Sequence, residues 1–419
     1  MRKLFSGLMA MLLVLGGYQL AFATNGYFPI GYGVINNGLG GAGTALPQDS
    51  LASATNPAGL AYVGTRYDVG ISFFNPNRDY TVTGNPSPPP AFGLAPGVYG
   101  SNDRWFVIPA LSANWSLKND SSLGLAIYGH GGMNTDYSTS TFYGTSPTGV
   151  DLSQLFIVPT YAIKFFSNHA VGVSPVFAYQ RFQAQSLQAF APFSSDSSHL
   201  SNNGYSNSYG YGAKIGYLGK ILPELNFGAS YHTRTKMSKF SDYSGLFAEQ
   251  GGFDIPSSWD LGLSYQVIPA VTLVFDYQQI NYNEVNSVGN PLLPNLQTSL
   301  LGQDNGAGFG WRDMSVYKLG VQWKSSEDWV WRAGYSIGNQ PIPSSEVLFN
   351  ILAPGVIEQH ATIGFTRNFQ NNQALNVALV RAFSKSVSGS NPLDSTQTIE
   401  LRMDEWEADF SYSWNIPGS

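Results

Sequence analysis

The chain has 419 residues, no cysteine and a charged fraction of 11%, less than half the roughly 25% of ordinary soluble domains. So little charge does not coat a water-facing surface of this size, and the lack of cysteine excludes a disulfide framework and a lipid-anchored N-terminal cysteine. The net charge of -6 argues against nucleic acid as a partner, because phosphates need a basic face.

Taken in order, the first element reads as a secretory signal peptide over residues 1–23. Arg2 and Lys3 precede an apolar core at 8–20, and Ala21-Phe22-Ala23 has the small-x-small pattern of a cleavage site. No later run is long and apolar enough for a spanning helix, so the chain is expected to leave the cytoplasm and not to stay in the inner membrane. Next comes a segment at 24–65 whose centre, 36–60, is rich in Gly, Ala, Ser and Thr. It is too apolar for a solvated tail and too rich in glycine for a firm strand or long helix. It ends in Asn56-Pro57-Ala58-Gly59, where the proline removes a donor and holds Asn56 extended. The segment reads as a plug, or hatch, inside whatever residues 66–419 build, with the Asn56 side chain free to tie it to a wall.

From Tyr67 the hydrophobic period is two. Tyr67, Val69, Ile71 and Phe73 alternate with Asp68, Gly70 and Ser72, as along a strand with one apolar face. The beat recurs at 105–117, 123–127, 155–165, 171–179, 209–217, 225–235, 259–267, 271–277, 317–323, 329–337, 361–365, 375–383 and 406–414. About fourteen strands result, an even number as in bacterial outer-membrane barrels. The connections alternate in length: short ones at 118–120, 167–168, 222–224, 268–270, 325–328 and 370–373, and long polar ones at 75–104, 131–151, 183–207, 238–256, 286–312, 338–356 and 384–397. Short periplasmic turns and long outer loops are the pattern of a transmembrane barrel. Hydrocarbon enforces closure, since an open sheet edge there leaves N–H and C=O groups unpaired. Trp105, Trp115, Trp259, Trp311, Trp323, Trp329 and Trp414 suit the interfacial aromatic girdles. The fold expected is an all-β transmembrane antiparallel barrel with a hatch in its lumen.

Three sets of residues are candidates for function. The third strand runs into Gly129-His130-Gly131-Gly132, a run that permits a bend or simply ends the strand. On the seventh strand His232, Arg234 and Lys236 alternate with Tyr231, Thr233 and Thr235. Facing the lumen, they form a cationic row able to hold a carboxylate or to pair with lumenal acids such as Glu405, Glu407 and Asp409. The outer loops carry Phe190, Phe193, Leu246, Phe247, Leu348 and Phe349, apolar residues of the kind that mark a binding surface when exposed. They are expected to form a capture groove reaching past the lipopolysaccharide, with part of them packing loop on loop. The five histidines show no metal-ligand spacing and no nucleophile motif opens a helix, so neither an enzyme nor a cofactor or metal is expected.

Several motifs together resemble the FadL family of outer-membrane transporters of hydrophobic compounds: Gly38-Leu39-Gly40-Gly41-Ala42-Gly43, Asn56-Pro57-Ala58, Gly310-Trp311-Arg312-Asp313, the run from Asp328 to Tyr335, and Gln340-Pro341-Ile342-Pro343. The resemblance implies a fourteen-stranded barrel closed by an N-terminal hatch. It implies passive uptake of long-chain fatty acids or aromatic hydrocarbons, and lateral release into the membrane at a kinked third strand, here Gly129, Gly131 and Gly132. A basic pair that receives a carboxylate in fatty-acid members has no clean match around 185–188 and 303–308, which leaves room for an uncharged ligand. The partners expected are a hydrophobic small molecule and outer-membrane lipid with lipopolysaccharide, the protein acting as a monomer. A general porin and a surface adhesin or structural barrel are the alternatives.

Overall fold

The computed structural model describes residues 25–87, 93–142, 144, 147–166 and 168–417; the signal peptide expected at 1–23 lies outside them. One antiparallel sheet of sixteen strands closes on itself, β16 pairing with β1. The strands are β1 (Arg66–Gly84), β2 (Gly97–Gly100), β3 (Phe106–Ser116), β4 (Ser121–Tyr137), β5 (Thr148–Phe165), β6 (His169–Gln185), β7 (Ser206–Leu222) and β8 (Leu225–His232). After these come β9 (Lys236–Met237), β10 (Ser258–Ile268), β11 (Val271–Ile280), β12 (Met314–Lys324), β13 (Trp329–Gly338), β14 (Gln359–Asn368), β15 (Gln373–Asn391) and β16 (Asp394–Asn415). Short β2 rides on β1 and β9 on β7, so the wall itself has fourteen strands.

The alternation decides which face meets lipid. Val69, Ile71 and Phe73 on β1, and Phe410 and Trp414 on β16, are exposed, while Asp68, Glu407 and Asp409 between them are buried in the lumen. A charge on the outer face near the midplane costs about 2–4 kcal/mol, so the polar members of each strand have one place to go. Trp115, Trp323, Trp331, Trp406 and Trp414 stand on the outer face. Trp311 does not: it is buried beneath the outer loops, with its Nε1 donating to Asn350 Oδ1 at 2.6 Å.

Several strands run well past the membrane. β1, β15 and β16 have 19, 19 and 22 residues, against the ~9–11 a tilted spanning strand needs. The long loop expected at 384–397 is therefore a hairpin, its strands paired up to Asn391 and Asp394. Above the hydrocarbon both faces of a strand meet water or loops, so the serine-rich stretch loses its period-two signal without losing its ladder.

The outer loops fold into a cap. Phe190, Leu246, Phe247, Leu348 and Phe349 are buried and Phe193 packs against them, which corrects the exposed capture groove: these side chains are the cap's own core. Phe182 packs at a tilt against Phe247 at 4.6 Å and Phe190 meets Phe349 at 5.4 Å. The same apolar cluster continues inward without a break to Tyr27, Phe28 and Tyr128.

Candidate functional site

Residues 25–65 occupy the lumen, folded into short helical turns at Val34–Asn37, Ala52–Thr55 and Pro57–Ala61. Turns this short do not hold by propensity; the wall holds them. Asn56, extended at φ -140° as a pre-proline residue must be, caps the last turn by accepting from Ala58 N at 3.1 Å. Its Nδ2 donates to Thr44 O of the plug and to Tyr217 O of β7, at 2.8 and 2.9 Å. One side chain thus closes a turn, ties two parts of the plug together and fastens both to the barrel.

Charged wall residues repeat this on a larger scale, mostly toward plug backbone. Asp276 on β11 accepts from Gly43 N and Thr44 N at 2.8 and 2.9 Å. Lys318 on β12 donates to Ile30 O at 2.7 Å, and Lys214 on β7 to Ala54 O. Asp409 accepts from Asn37 Nδ2 at 2.9 Å, and Asp68 from Ser50 N at 2.9 Å. A buried charge needs partners, and the plug's unpaired peptide groups need them equally.

Close approach is made possible by glycines on the inner face of the wall. A Cβ on Gly172 of β6 would lie 2.3 Å from Pro57 C; on Gly216 of β7, 2.0 Å from Asn56 Oδ1; on Gly228 of β8, 2.2 Å from Thr44 O; on Gly334 of β13, 2.1 Å from Gly40 N. Every one of these distances is impossible for a side chain, so the glycines form a socket. Sequence reasoning points to the Asn56 tie but misses the socket and the charged staples. The signal was present: Lys214, Asp276 and Lys318 sit at inward positions of strands whose other face is lipid, where a charge must point to the lumen.

The wall is interrupted between β3 and β4. Their ladder ends at Ala110 paired with Tyr128. Above it, Phe106 to Pro109 pair with β1 alone, and β4 from Gly129 to Tyr137 pairs with β5 alone. Pro109 has no N–H to offer, and the β4–β5 register shifts between Gly129 and Gly131, leaving His130 as an extra residue, a β-bulge. The strand runs on to Tyr137, so the glycines bend it and do not end it. Gly131 and Gly132 admit the plug's first residues: Gly132 N donates to Tyr27 O at 3.2 Å, and a Cβ on Gly131 would lie 2.5 Å from the same oxygen. Higher still the two sides meet again, Asn102 N donating to Asp136 O at 2.7 Å and Arg78 bonding to both Asn134 O and Asp103 O. The result is a window with a sill and a lintel.

A cavity lies behind the window, lined by Tyr32, Leu51, Ile71, Ile108, Pro109 and Gly129 among others. It reaches from plug residues to Ile71, an outward side chain. A second, polar cavity lies deeper, lined by Tyr32, Lys214, His232, Asp260, Gln278 and Lys318.

The cationic row expected at His232, Arg234 and Lys236 does not form. Only His232 is buried against the lumen. β8 ends there, and three residues, Thr233 to Thr235, span what two residues span on β7 between Lys214 and Tyr211. The chain bulges, Arg234 binds Asp254 at 2.8 Å and Lys236 binds the same carboxylate at 3.0 Å. Their partner is thus a loop acid, not Glu405, Glu407 or Asp409 of β16. Among the described residues no cluster of histidine and acidic side chains could hold a metal.

A closed fourteen-stranded barrel with its lumen plugged from the N-terminus defines an outer-membrane transport protein. The chain belongs to the family described as outer membrane protein transport protein (OMPP1/FadL/TodX), whose model matches residues 31–410. Among solved structures, the fold is similar to the Pseudomonas putida toluene transporter TodX, with TM-score 0.67, 17% identity, and 93% of this chain and 100% of that one covered. It is also similar to a Pseudomonas aeruginosa FadL homologue, with TM-score 0.68, 16% identity, and 93% and 98% covered. The Ralstonia pickettii toluene transporter TbuX gives TM-score 0.62, 16% identity, and 92% and 99% covered. No curated protein sequence matches the chain.

Proposed function

We propose that this outer-membrane protein carries uncharged hydrophobic small molecules, aromatic hydrocarbons before fatty acids, and releases them sideways into the membrane between β3 and β4. The observation that carries the reading is the interrupted ladder above Ala110 and Tyr128, with a cavity behind it running from the plug to the lipid-facing side of Ile71. The apolar cluster joining the cap to Tyr27 and Phe28, with Tyr32 packed against it, gives a greasy ligand an apolar lining from the cap to the plug. Preference for an uncharged ligand is supported by how the cations are engaged: Lys214 and Lys318 in the lumen spend their ammonium groups on plug carbonyls, and Arg234 and Lys236 share the loop carboxylate of Asp254 outside it. Toluene is named as the cargo of two of the similar structures, which fits.

The chain has no cysteine, so a Pro109→Cys, Gly129→Cys pair can be bridged uniquely by a short reducible thiol cross-linker. Toluene uptake by cells carrying the bridged protein is expected to fall about tenfold or more and to return on reduction, as gating of a rate-limiting passage requires. Uptake unchanged by the bridge sinks lateral release.

A further inference from the structure

Resting on that reading, we infer that Tyr32 is the gate between the deep lumenal cavity and the window, that His130 is its latch, and that the Tyr32 ring sets the size of ligand that passes. The two cavities share three lining residues, Pro29, Gly31 and Tyr32. The partition between them is therefore one short piece of plug, and Tyr32 is its largest side chain. Its ring lies 5.1 Å from Tyr128, the last residue of the sill, and 5.9 Å from the His130 ring, with Lys214 Nζ at 5.2 Å on the polar side.

The latch is a 2.8 Å hydrogen bond between Tyr32 Oη and His130 Nδ1. His130 is the extra residue of the β4 bulge, so this bond joins the moving part of the plug to the point where the wall departs from its ladder. The His130 ring is itself fixed, stacked on Phe156 at 4.0 Å and edge-on to Phe28 at 4.4 Å. Tyr32 is mounted for movement: it stands between Gly31 and Gly33, and Gly33 has φ +89°, a conformation open chiefly to glycine. The backbone beside it is held, Lys318 donating to Ile30 O two residues before, while the Asp276 and Asn56 staples lie further along the plug; the ring itself is held by the His130 bond and by its contacts with Tyr128 and Lys214. A ligand that opens space on the Lys214 side of Tyr32 reaches the window by breaking one hydrogen bond and turning one ring, while the rest of the plug stays seated.

The test compares uptake of a one-ring and a two-ring hydrocarbon, toluene and naphthalene, by cells making equal amounts of assembled barrel. Tyr32→Ala removes the ring, and the naphthalene-to-toluene rate ratio is expected to rise at least about threefold, a modest pocket discrimination. Tyr32→Phe and His130→Phe remove only the latch, so both rates are expected to rise together with the ratio unchanged. A merely structural role moves neither the ratio in one variant nor the rates in the other two. An unchanged ratio in assembled Tyr32→Ala overturns the gate. Should that variant fail to assemble, the two phenylalanine variants decide: faster uptake of both compounds supports the latch, and wild-type rates overturn it. The window cross-link separates this inference from the reading beneath it. If the bridge blocks uptake and Tyr32 variants behave as wild type, the gate alone fails; if the bridge does not block uptake, lateral release fails and the gate with it.

Discussion

The plug meets the two halves of the wall differently. Against β6 to β14 its backbone lies on glycines at distances no Cβ could share, and charged side chains bind its peptide groups. Beside Gly70 to Ser72 of β1, Ile108 to Ala110 of β3 and Gly129 of β4 it stands off behind a cavity, meeting β4 again higher up at Gly131 and Gly132. Gly70 on β1 makes the contrast plain: the three nearest neighbours of a Cβ there would all be wall atoms, Phe410 O and Ser411 Cβ at 3.6 Å and Ala110 Cβ at 3.8 Å. One half grips, and the other leaves the space that the proposed lateral release requires. A plug held evenly all round would either block the window or come loose entirely.

Four substitutions test that contrast. Asp276→Ala on the gripping side strands the N–H groups of Gly43 and Thr44. The expected loss is about 2–6 kcal/mol, from about 1–3 kcal/mol for each of the two buried donors left unsatisfied. Denaturant unfolding of the purified barrel reads the loss, and ion leak in planar bilayers is expected to appear as the plug loosens. Gly334→Ala drives a methyl toward Gly40 N, and the rigid backbone on both sides makes relief difficult. An overpacking cost of about 1–3 kcal/mol and a similar leak are expected; wild-type stability would mean the socket is looser than described.

On the standing-off side the effects are smaller and one has the opposite sign. Burial, and after it the charge of Asp68, pushes the Asp49 carboxyl up to about 7. An acid whose folded pKa is raised binds protons on folding, so stability falls as pH climbs from the unfolded value of about 3.9 toward 7 and is level above that. Asp49→Asn removes the penalty: a gain of about 1–2 kcal/mol at pH 8 that fades toward pH 4 is expected, read as the difference between the two unfolding curves across that range. A gain that does not vary with pH contradicts the assignment. Last, Gly70→Ala adds a methyl whose nearest neighbours are wall atoms at ordinary contact distance. A change within about 0.5 kcal/mol and unaltered conductance are expected; a large loss here would erase the distinction between the two halves.

Much of the barrel was legible because lipid imposes a binary rule. Tyr67 to Phe73 alternate since one face is in hydrocarbon and the other is not, and the same rule located the strands across the membrane. Where the rule lapses the sequence misleads: the β15–β16 hairpin above the membrane has the composition of a loop, and the bulge after His232 keeps the alternation of a strand. The apolar loop residues such as Phe247 and Phe349 advertise burial or binding equally well, and only their packing in the cap distinguishes the two.

The sequence alone determined that the chain is a membrane barrel, where its strands cross, that a small-residue segment with Asn56 precedes them, and that glycines interrupt the third strand. These follow from local chemistry: alternation, proline geometry and the cost of a charge in lipid. The tertiary structure decided which glycines are socket and which are bend, which charges bind the plug, and that Tyr32 meets His130. Those are contacts between residues about 100 to 300 positions apart, such as Tyr32 with His130 and Ile30 with Lys318. No local pattern encodes such pairings, because they exist only once the wall has closed around the plug.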